Sequence, residues 1–237
     1  MWRITTLVLL AAAAPAVGGA ASDLPAGPVS IYDGRVSFAL PDGWTEIPPG
    51  NLEELTMRVA EATGGRTAEY YQHGYYPPTF ADDPWLPHLL VQIRESGRLR
   101  YGRFLGVDAG GLDGDGHDGL PPLVLDVAVD SVDFDTRRMC LRLEHTLNLQ
   151  FKGRVRVLTA SFLTELGVVA FHFADRERRI DESRAVFDEL VAGVTLAPEV
   201  AYRPRLTDRW PGLYFFAAAA LMTVLLILTI LRQHRRP

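Results

Sequence analysis

The chain has 237 residues and a formal net charge of −5 at pH 7, with 48% hydrophobic and 22% charged residues. This acidic balance argues against nucleic acid as a partner, because phosphate backbones are bound by basic surfaces. Cys140 is the single cysteine, so no disulfide can form within the chain. We predict a half-buried thiol on a strand, in preference to a bridge to another chain.

The first 21 residues have the pattern of a secretory signal peptide. Arg3 precedes an apolar run from Ile4 to Ala14 that is too short to span a bilayer, and small residues after Pro15 suit a cleavage site. We therefore predict export, with a signal peptide over residues 1–21 and a flexible segment rich in Pro and Gly over residues 22–28.

The apolar spacing predicts one folded domain over residues 29–198. Its first part mixes strands and a helix. Val29–Tyr32 and Val36–Leu40 are predicted as two short strands closed by a turn, since their apolar residues alternate and Pro and Gly follow. A helix is predicted from Asn51 to about Ala62, and Leu89–Ile93 is the next strand.

Residues 70–85 hold aromatic side chains between prolines, and this segment is the leading candidate for a binding surface. The candidate residues are Tyr70, Tyr71, Tyr75, Tyr76 and Trp85. Aromatic rings with polar tips are favoured at binding surfaces, and prolines favour a stiff, extended loop. The same rings can instead pack into the core, because alternate residues of a strand are buried. Both interpretations stay open.

Two acidic stretches raise the questions of a metal site and of catalysis. Asp113, Asp115 and Asp118 begin like a calcium-binding loop, but Asp118 stands where glycine is needed and Val124 where glutamate is needed, so a solvated loop is favoured. A second run allows a hydrolase hypothesis, although it also suits the solvated side of a hairpin. It consists of Asp126, Asp130, Asp133 and Asp135. We predict no catalytic residue, metal ion or cofactor.

The second half of the domain predicts an antiparallel meander. The strands are Val127–Phe134, Met139–Leu147, Arg154–Leu163 and Val168–Ala174, and a helix begins at Asp175. Tight turns between consecutive strands require antiparallel pairing. We therefore predict an α+β fold, in which helices pack on an antiparallel β-sheet.

The predicted turns, near Gln150 and Leu166, also fix which residues face each other. The opposed pairs are His145 with Val155, Glu144 with Arg156, and His172 with Thr159. The two histidines then share a face but stand roughly 16 Å apart, which is too far for one metal ion. The Glu144–Arg156 pair is predicted as an exposed structural contact.

The C-terminal segment predicts a membrane anchor. Residues 213–231 carry no charge, and a helix of that length spans roughly 28 Å, about the hydrocarbon thickness of a bilayer. We predict a transmembrane helix over residues 212–231, joined to the domain by a linker over residues 199–211. Trp210 and Tyr214 would lie at the interface, and Arg232, Arg235 and Arg236 would keep the tail, residues 232–237, in the cytoplasm.

The string Phe38-Ala-Leu-Pro41-Asp-Gly-Trp44, followed by a helix, an antiparallel meander and a second helix, resembles the PsbP-like family. That family is named for an extrinsic subunit of photosystem II, and the similarity extends from about Val29 to Pro198. The resemblance implies a sandwich of helices on an antiparallel sheet, a binding or scaffolding role and no catalytic residues. The whole layout is also similar to uncharacterised bacterial single-pass membrane proteins.

These observations lead to one functional hypothesis and two alternatives. Lys152 is the only lysine among 24 basic residues, a bias typical of GC-rich bacterial genomes. We expect a single-pass protein of the bacterial cytoplasmic membrane, with a periplasmic or extracellular domain that binds or scaffolds an envelope protein partner. The alternatives are a small-ligand or lipid-binding module using residues 70–85, and a hydrolase using the carboxylates between Asp126 and Asp135.

Overall fold

The computed structural model describes residues 28–62, 71–77, 88–107, 124–150 and 153–209. The predicted signal peptide, calcium-like loop and membrane anchor lie outside these ranges. So do the candidate residues Tyr70, Trp85, Asp113, Asp115, Asp118, Trp210, Tyr214, Arg232, Arg235 and Arg236. Of the helices within the described ranges, none has the length and apolar character needed to cross a bilayer.

In the described ranges the chain forms ten strands and three helices. The strands are β1 (Pro28–Ile31), β2 (Val36–Ala39), β3 (Thr45–Glu46), β4 (His73–Tyr76), β5 (His88–Arg94), β6 (Val124–Asp135), β7 (Cys140–Leu149), β8 (Gly153–Leu163), β9 (Val168–Arg176) and β10 (Thr195–Leu196). The helices are α1 (Pro49–Ala62), α2 (Ile180–Gly193) and α3 (Leu206–Arg209), with 3₁₀ turns at Tyr101–Arg103 and Glu177–Arg179.

Seven of these strands form a large sheet in the order β3-β4-β5-β9-β8-β7-β6, and β1, β2 and β10 form a smaller sheet. Every strand pair in both sheets is antiparallel. Among the described residues β6 is an edge strand, and its pairing with β7 is irregular between Val124 and Asp126 and between Val129 and Ser131. The predicted α+β fold, with helices on an antiparallel sheet, is confirmed.

The predicted register is correct between β8 and β9, where His172 lies opposite Thr159. Between β7 and β8, however, His145 lies opposite Val157 and not Val155. The connecting turn is centred one position further along the chain than predicted, which shifts the pairing by two residues. Because side chains alternate with a period of two, this shift does not change which residues of β7 and β8 share a face of the sheet.

One face of the large sheet forms the main core with α2 and the smaller sheet. The core includes Leu89, Val91, Phe162, Phe171 and Phe173 from the sheet, and Phe187, Leu190 and Val191 from α2. Phe38 packs edge-on against Phe171 with ring centroids 5.1 Å apart, and Trp44 lies 6.0 Å from Phe173. The string that carries the family resemblance is therefore a core-forming segment, since large aromatic rings contribute much of the buried apolar area.

The opposite face of the sheet holds the buried histidines His88, His145 and His172. Helix α1 approaches β4 on this side, where Gly74 leaves the space. A Cβ on Gly74 would lie 3.1 Å from Cδ1 of Leu52, closer than most real Cβ contacts. A glycine at this position therefore lets the helix approach the sheet closely.

His172 is held neutral on this face. Its Nδ1 lies 3.1 Å from the Thr159 hydroxyl oxygen, and the Tyr71 ring packs edge-on against it at 6.0 Å. No group in the described ranges hydrogen-bonds its Nε2. Burial lowers the pKa of His172 to about 3, and electrostatic repulsion by His145 and Arg94 acts in the same direction.

We predict that His172 makes the fold sensitive to acid. The pKa falls from an ordinary value of 6.5 to about 3 on folding, so the unfolded chain takes up the proton first. The contribution of neutral His172 to the free energy of unfolding should be complete above pH 6.5 and should decrease as the pH falls toward 3. His172→Leu should flatten this decrease in urea unfolding of the full-length chain in non-ionic detergent.

Thr159→Val is the matched control, because it removes the hydroxyl beside His172 but keeps the titrating ring. Both variants should lose stability at neutral pH, by about 1–3 kcal/mol, since each leaves a buried polar group without its partner. Thr159→Val should nevertheless retain the wild-type pH dependence. A pH dependence in His172→Leu as steep as in the wild type would contradict the prediction.

Candidate functional site

The described part of the aromatic segment contributes mainly to the core. Tyr75 is buried beside Phe38, with ring centroids 5.8 Å apart, on the α2 side of the sheet. Tyr71 is buried against His172 on the other side, and only Tyr76 of the three described candidates is partly exposed. Strand β4 lies between β3 and β5 in the sheet, which explains the burial. Tyr71 and Tyr75 are therefore core residues, the second of the two interpretations that the sequence allowed.

Two of the four carboxylates of β6, Asp130 and Asp135, have separate local partners. Asp135 accepts hydrogen bonds from the backbone N–H groups of Arg137 and Arg138, at 2.8 and 3.1 Å, and so closes the turn to β7. Asp130 accepts a hydrogen bond from the Thr146 hydroxyl at 2.6 Å. Within the described ranges these side chains serve a turn and a cross-strand contact; they do not converge on a shared reaction centre.

A charged cleft of about 190 Å³ lies between α2 and strands β6, β7 and β8. The polar residues of β6, β7 and α2 that line it are Ser131, Asp133, Arg142, Glu144, Arg184 and Asp188. These residues come from two strands, β6 and β7, and from helix α2, and β8 adds Leu158 and Thr159 to the lining. We refer to these six residues as the charged cleft.

Glu144 is the central anion of the charged cleft. It is 9% exposed, accepts a hydrogen bond from the Arg184 guanidinium at 2.5 Å and lies 3.2 Å from Arg156. The predicted Glu144–Arg156 contact is present, but it is not the exposed pair that the sequence indicated, because Glu144 is buried on the α2 side of the sheet. The two residues are diagonal across the strands, and Leu158 is directly opposite Glu144. The hydrogen bond from Arg184 lowers the pKa of Glu144, so this carboxylate accepts hydrogen bonds and is unsuited to donate a proton.

The opposite charges in this region are paired across elements. Arg142 of β7 forms a salt bridge with Asp188 of α2. The arrangement can present both signs of charge to a protein surface, as many binding surfaces do. No group of three or more His, Cys, Asp or Glu side chains in the described ranges is placed to hold a metal ion.

Cys140 is more buried than the sequence indicated, at 2% exposure. Burial raises the pKa of its thiol to about 12, although Arg138 and Arg142 act in the other direction. The thiol therefore stays protonated and inaccessible at neutral pH, and it behaves as a small core side chain.

The segment predicted as a linker packs against the domain as far as Arg209. Val200 is 1% exposed, and the Tyr202 hydroxyl donates a hydrogen bond to the Leu99 carbonyl at 2.8 Å. Tyr202 also forms a small apolar cluster with Met139 and Leu163. The linker boundary is corrected accordingly, because apolar side chains and specific hydrogen bonds fix residues 199–209 in place.

Arg98 makes the polar contacts that hold this segment. Its guanidinium donates two hydrogen bonds to Asp208, at 2.6 and 2.5 Å, and its Nε–H is shared between the two carboxylate oxygens of Glu165, both at 3.1 Å. It also donates to the Arg203 carbonyl at 2.7 Å and stacks 4.3 Å from the Tyr202 ring centroid. The hydrogen bonds from Arg98 lower the pKa of Asp208 to about 2. Sequence reasoning missed this network.

No protein-family model and no curated protein matches the chain. Among solved structures, the chain is similar to the solution structure of cyanobacterial PsbP (CyanoP) from Synechocystis sp. PCC 6803, with 14% identity and a TM-score of 0.42. The match covers 78% of this chain and 98% of that chain. Because this identity and TM-score are too low to transfer a role, we argue function from the chain's own residues.

We predict that Asp208→Asn releases the C-terminal segment. Asp208 is 2% exposed, and removing one partner of a buried ion pair costs about 3–5 kcal/mol. Limited trypsin digestion, followed by mass spectrometry, should then show faster cleavage after Arg205, which precedes Leu206. Since the pKa falls from 3.8 to about 2 on folding, the wild-type segment should stay protected above pH 3.8 and be released as the pH falls through 2. Digestion with pepsin, which is active in acid where trypsin is not, measures this release.

Gly102→Ala tests the same contact without changing a charge. A Cβ on Gly102 would lie 2.2 Å from the Asp208 carbonyl oxygen, so α3 must move away. Gly50→Ala is the control, because nothing lies within 4 Å of a Cβ there. Unchanged cleavage after Arg205 in both Asp208→Asn and Gly102→Ala would show that Arg98 does not hold the segment.

Proposed function

We propose that the protein is a binding or scaffolding domain of PsbP-like type, exported and held at the outer face of the bacterial cytoplasmic membrane by one C-terminal helix. The supporting sequence features are the signal peptide pattern, the apolar segment over residues 212–231 and the Phe38–Trp44 string. The structural observation that carries the proposal is the contact of Arg98 with Asp208.

This contact bears on function because of its position in the chain. Asp208 lies four residues before the predicted transmembrane helix, and Arg98 fixes it to the body of the domain. The domain would therefore meet the bilayer in one orientation, without a long flexible tether. Confinement to the membrane raises the effective concentration toward other membrane proteins. A fixed orientation lowers the entropic cost of binding them.

The charged cleft is the surface we propose for a protein partner. Its ion pairs, Glu144–Arg184 and Arg142–Asp188, offer both signs of charge for complementary contacts. We propose a non-catalytic role; the hydrogen bond from Arg184 lowers the pKa of the central carboxylate, which makes it a poor general acid. Neither a small-ligand site at residues 70–85 nor hydrolysis is favoured by a specific contact in the described ranges.

The topology can be tested at the C-terminus. Arginines flank the predicted helix on both sides, with Arg203, Arg205 and Arg209 before it, so the signal peptide is expected to set the orientation. Alkaline phosphatase fused after Pro237 should be inactive, and green fluorescent protein at the same place should fluoresce. Active phosphatase with no fluorescence would refute the proposed orientation.

Partner binding can be tested by photo-crosslinking in native membranes. A photoreactive residue at Asp133, which lines the charged cleft, should yield one distinct protein adduct. Asp126 is the control, because it is an exposed aspartate on the same strand and face but outside the cleft. Equal labelling at both positions, or none at Asp133, would argue against the cleft as a partner surface.

A further inference from the structure

One end of the large sheet combines exposed leucines and exposed arginines where the described chain stops. We define the exit surface as Arg100, Leu105, Leu166, Arg205, Leu206 and Arg209, all of which are exposed or partly exposed. The 3₁₀ turn Tyr101–Arg103 packs against α3, and Arg205 pairs with Glu165, which precedes Leu166. These contacts bring the three chain segments to one end of the domain.

We propose that the exit surface rests on the anionic phospholipid headgroups of the membrane that holds the protein. This inference depends on the proposed anchor, because the bilayer comes within reach only if residues 212–231 span it. Arg209 stands three residues before that segment, which allows a separation of roughly 10 Å even for a fully extended chain.

Exposed apolar side chains are concentrated at this end. The large hydrophobic residues exposed in the described ranges are Met57, Leu105, Leu125, Leu166 and Leu206. Three of them belong to the exit surface, and Leu206 is 79% exposed, more than any other. Single exposed leucines need no explanation, but a cluster beside a predicted membrane segment suits the boundary between headgroups and acyl chains.

The outward charge of the exit surface is positive. Asp208 is turned inward to Arg98, with a side chain 2% exposed, and Glu165 bonds the same guanidinium with a side chain 20% exposed. The Arg205 side chain is 64% exposed, and Arg100 and Arg209 are also exposed. Guanidinium groups bind phosphate well, and basic residues near a bilayer favour anionic lipids. Arg98 thus turns the carboxylates of Asp208 and Glu165 inward, while the three arginines of the exit surface face out.

The test uses the full-length protein in nanodiscs of phosphatidylcholine, with or without phosphatidylglycerol. A bimane fluorophore on Leu105→Cys would report contact through quenching by lipids with a headgroup nitroxide. Leu125→Cys is the matched control, since Leu125 is an exposed leucine at the opposite end of the sheet. The native Cys140 should remain unlabelled because it is buried.

We expect strong quenching at Leu105 in discs that contain phosphatidylglycerol, less in phosphatidylcholine alone, and little at Leu125 in either. Arg100→Gln and Arg209→Gln should each weaken the contact by about fivefold, the effect of one basic residue near an anionic surface. Arg178→Gln, at the opposite end of the sheet, should not change it. Equal quenching at Leu105 and Leu125, or none at Leu105, would overturn the proposal.

Failure of the anchor would give a different result from failure of the lipid contact. A protein that alkaline carbonate extracts from native membranes has no spanning helix, and the proposed function fails. A protein that resists extraction but shows no quenching at Leu105 is anchored without lipid contact, and this inference alone fails. If Leu105→Cys is protected from labelling in native membranes but not in lipid nanodiscs, a protein and not lipid covers the exit surface. That result would also overturn the proposal of lipid contact.

Discussion

The buried contact between Arg98 and Asp208 is the interaction on which the C-terminal end of the domain depends. One guanidinium joins the chain after β5, the β8–β9 turn through Glu165, and helix α3. Burying an ion pair costs desolvation energy, which the bidentate geometry, the stacked Tyr202 ring and the further hydrogen bonds offset. The direction in which the chain leaves the domain at Arg209 therefore follows largely from one side chain.

The apolar runs along β7, β8 and β9, with tight turns between them, predicted the large sheet. Alternation did not predict burial, because β8 and β9 are buried over most of both faces and Glu144 and Thr146 of β7 are buried as well. The predicted register between neighbouring strands depended only on where each turn was placed. It was correct at the β8–β9 turn, where the Thr164 hydroxyl accepts hydrogen bonds from the N–H groups of Leu166 and Gly167 and fixes the centre. It was shifted at the β7–β8 turn, where the sequence offers no comparable local constraint.

Contacts between residues that are far apart in the sequence could not be predicted from apolar periodicity. Arg98 and Asp208 are 110 residues apart, and neither has a local pattern that distinguishes it from other residues of its type. The burial of Tyr71 and Tyr75 depends on the order of strands in the sheet, which periodicity does not supply. One feature did point to the docked segment: Val200 and Tyr202 are more apolar than a flexible linker requires.

The twelve-residue edge strand β6 bears on how copies of this protein would behave beside one another. Molecules held on one membrane face, as proposed, meet far more often than molecules in free solution. A long edge strand would then invite strand-to-strand fusion between neighbours. Aspartates at positions 126, 130 and 133 repel an identical strand, and the two irregularities interrupt the even spacing of N–H and C=O groups. A dense layer of these domains would thus remain a set of separate molecules and would not polymerise into a ribbon.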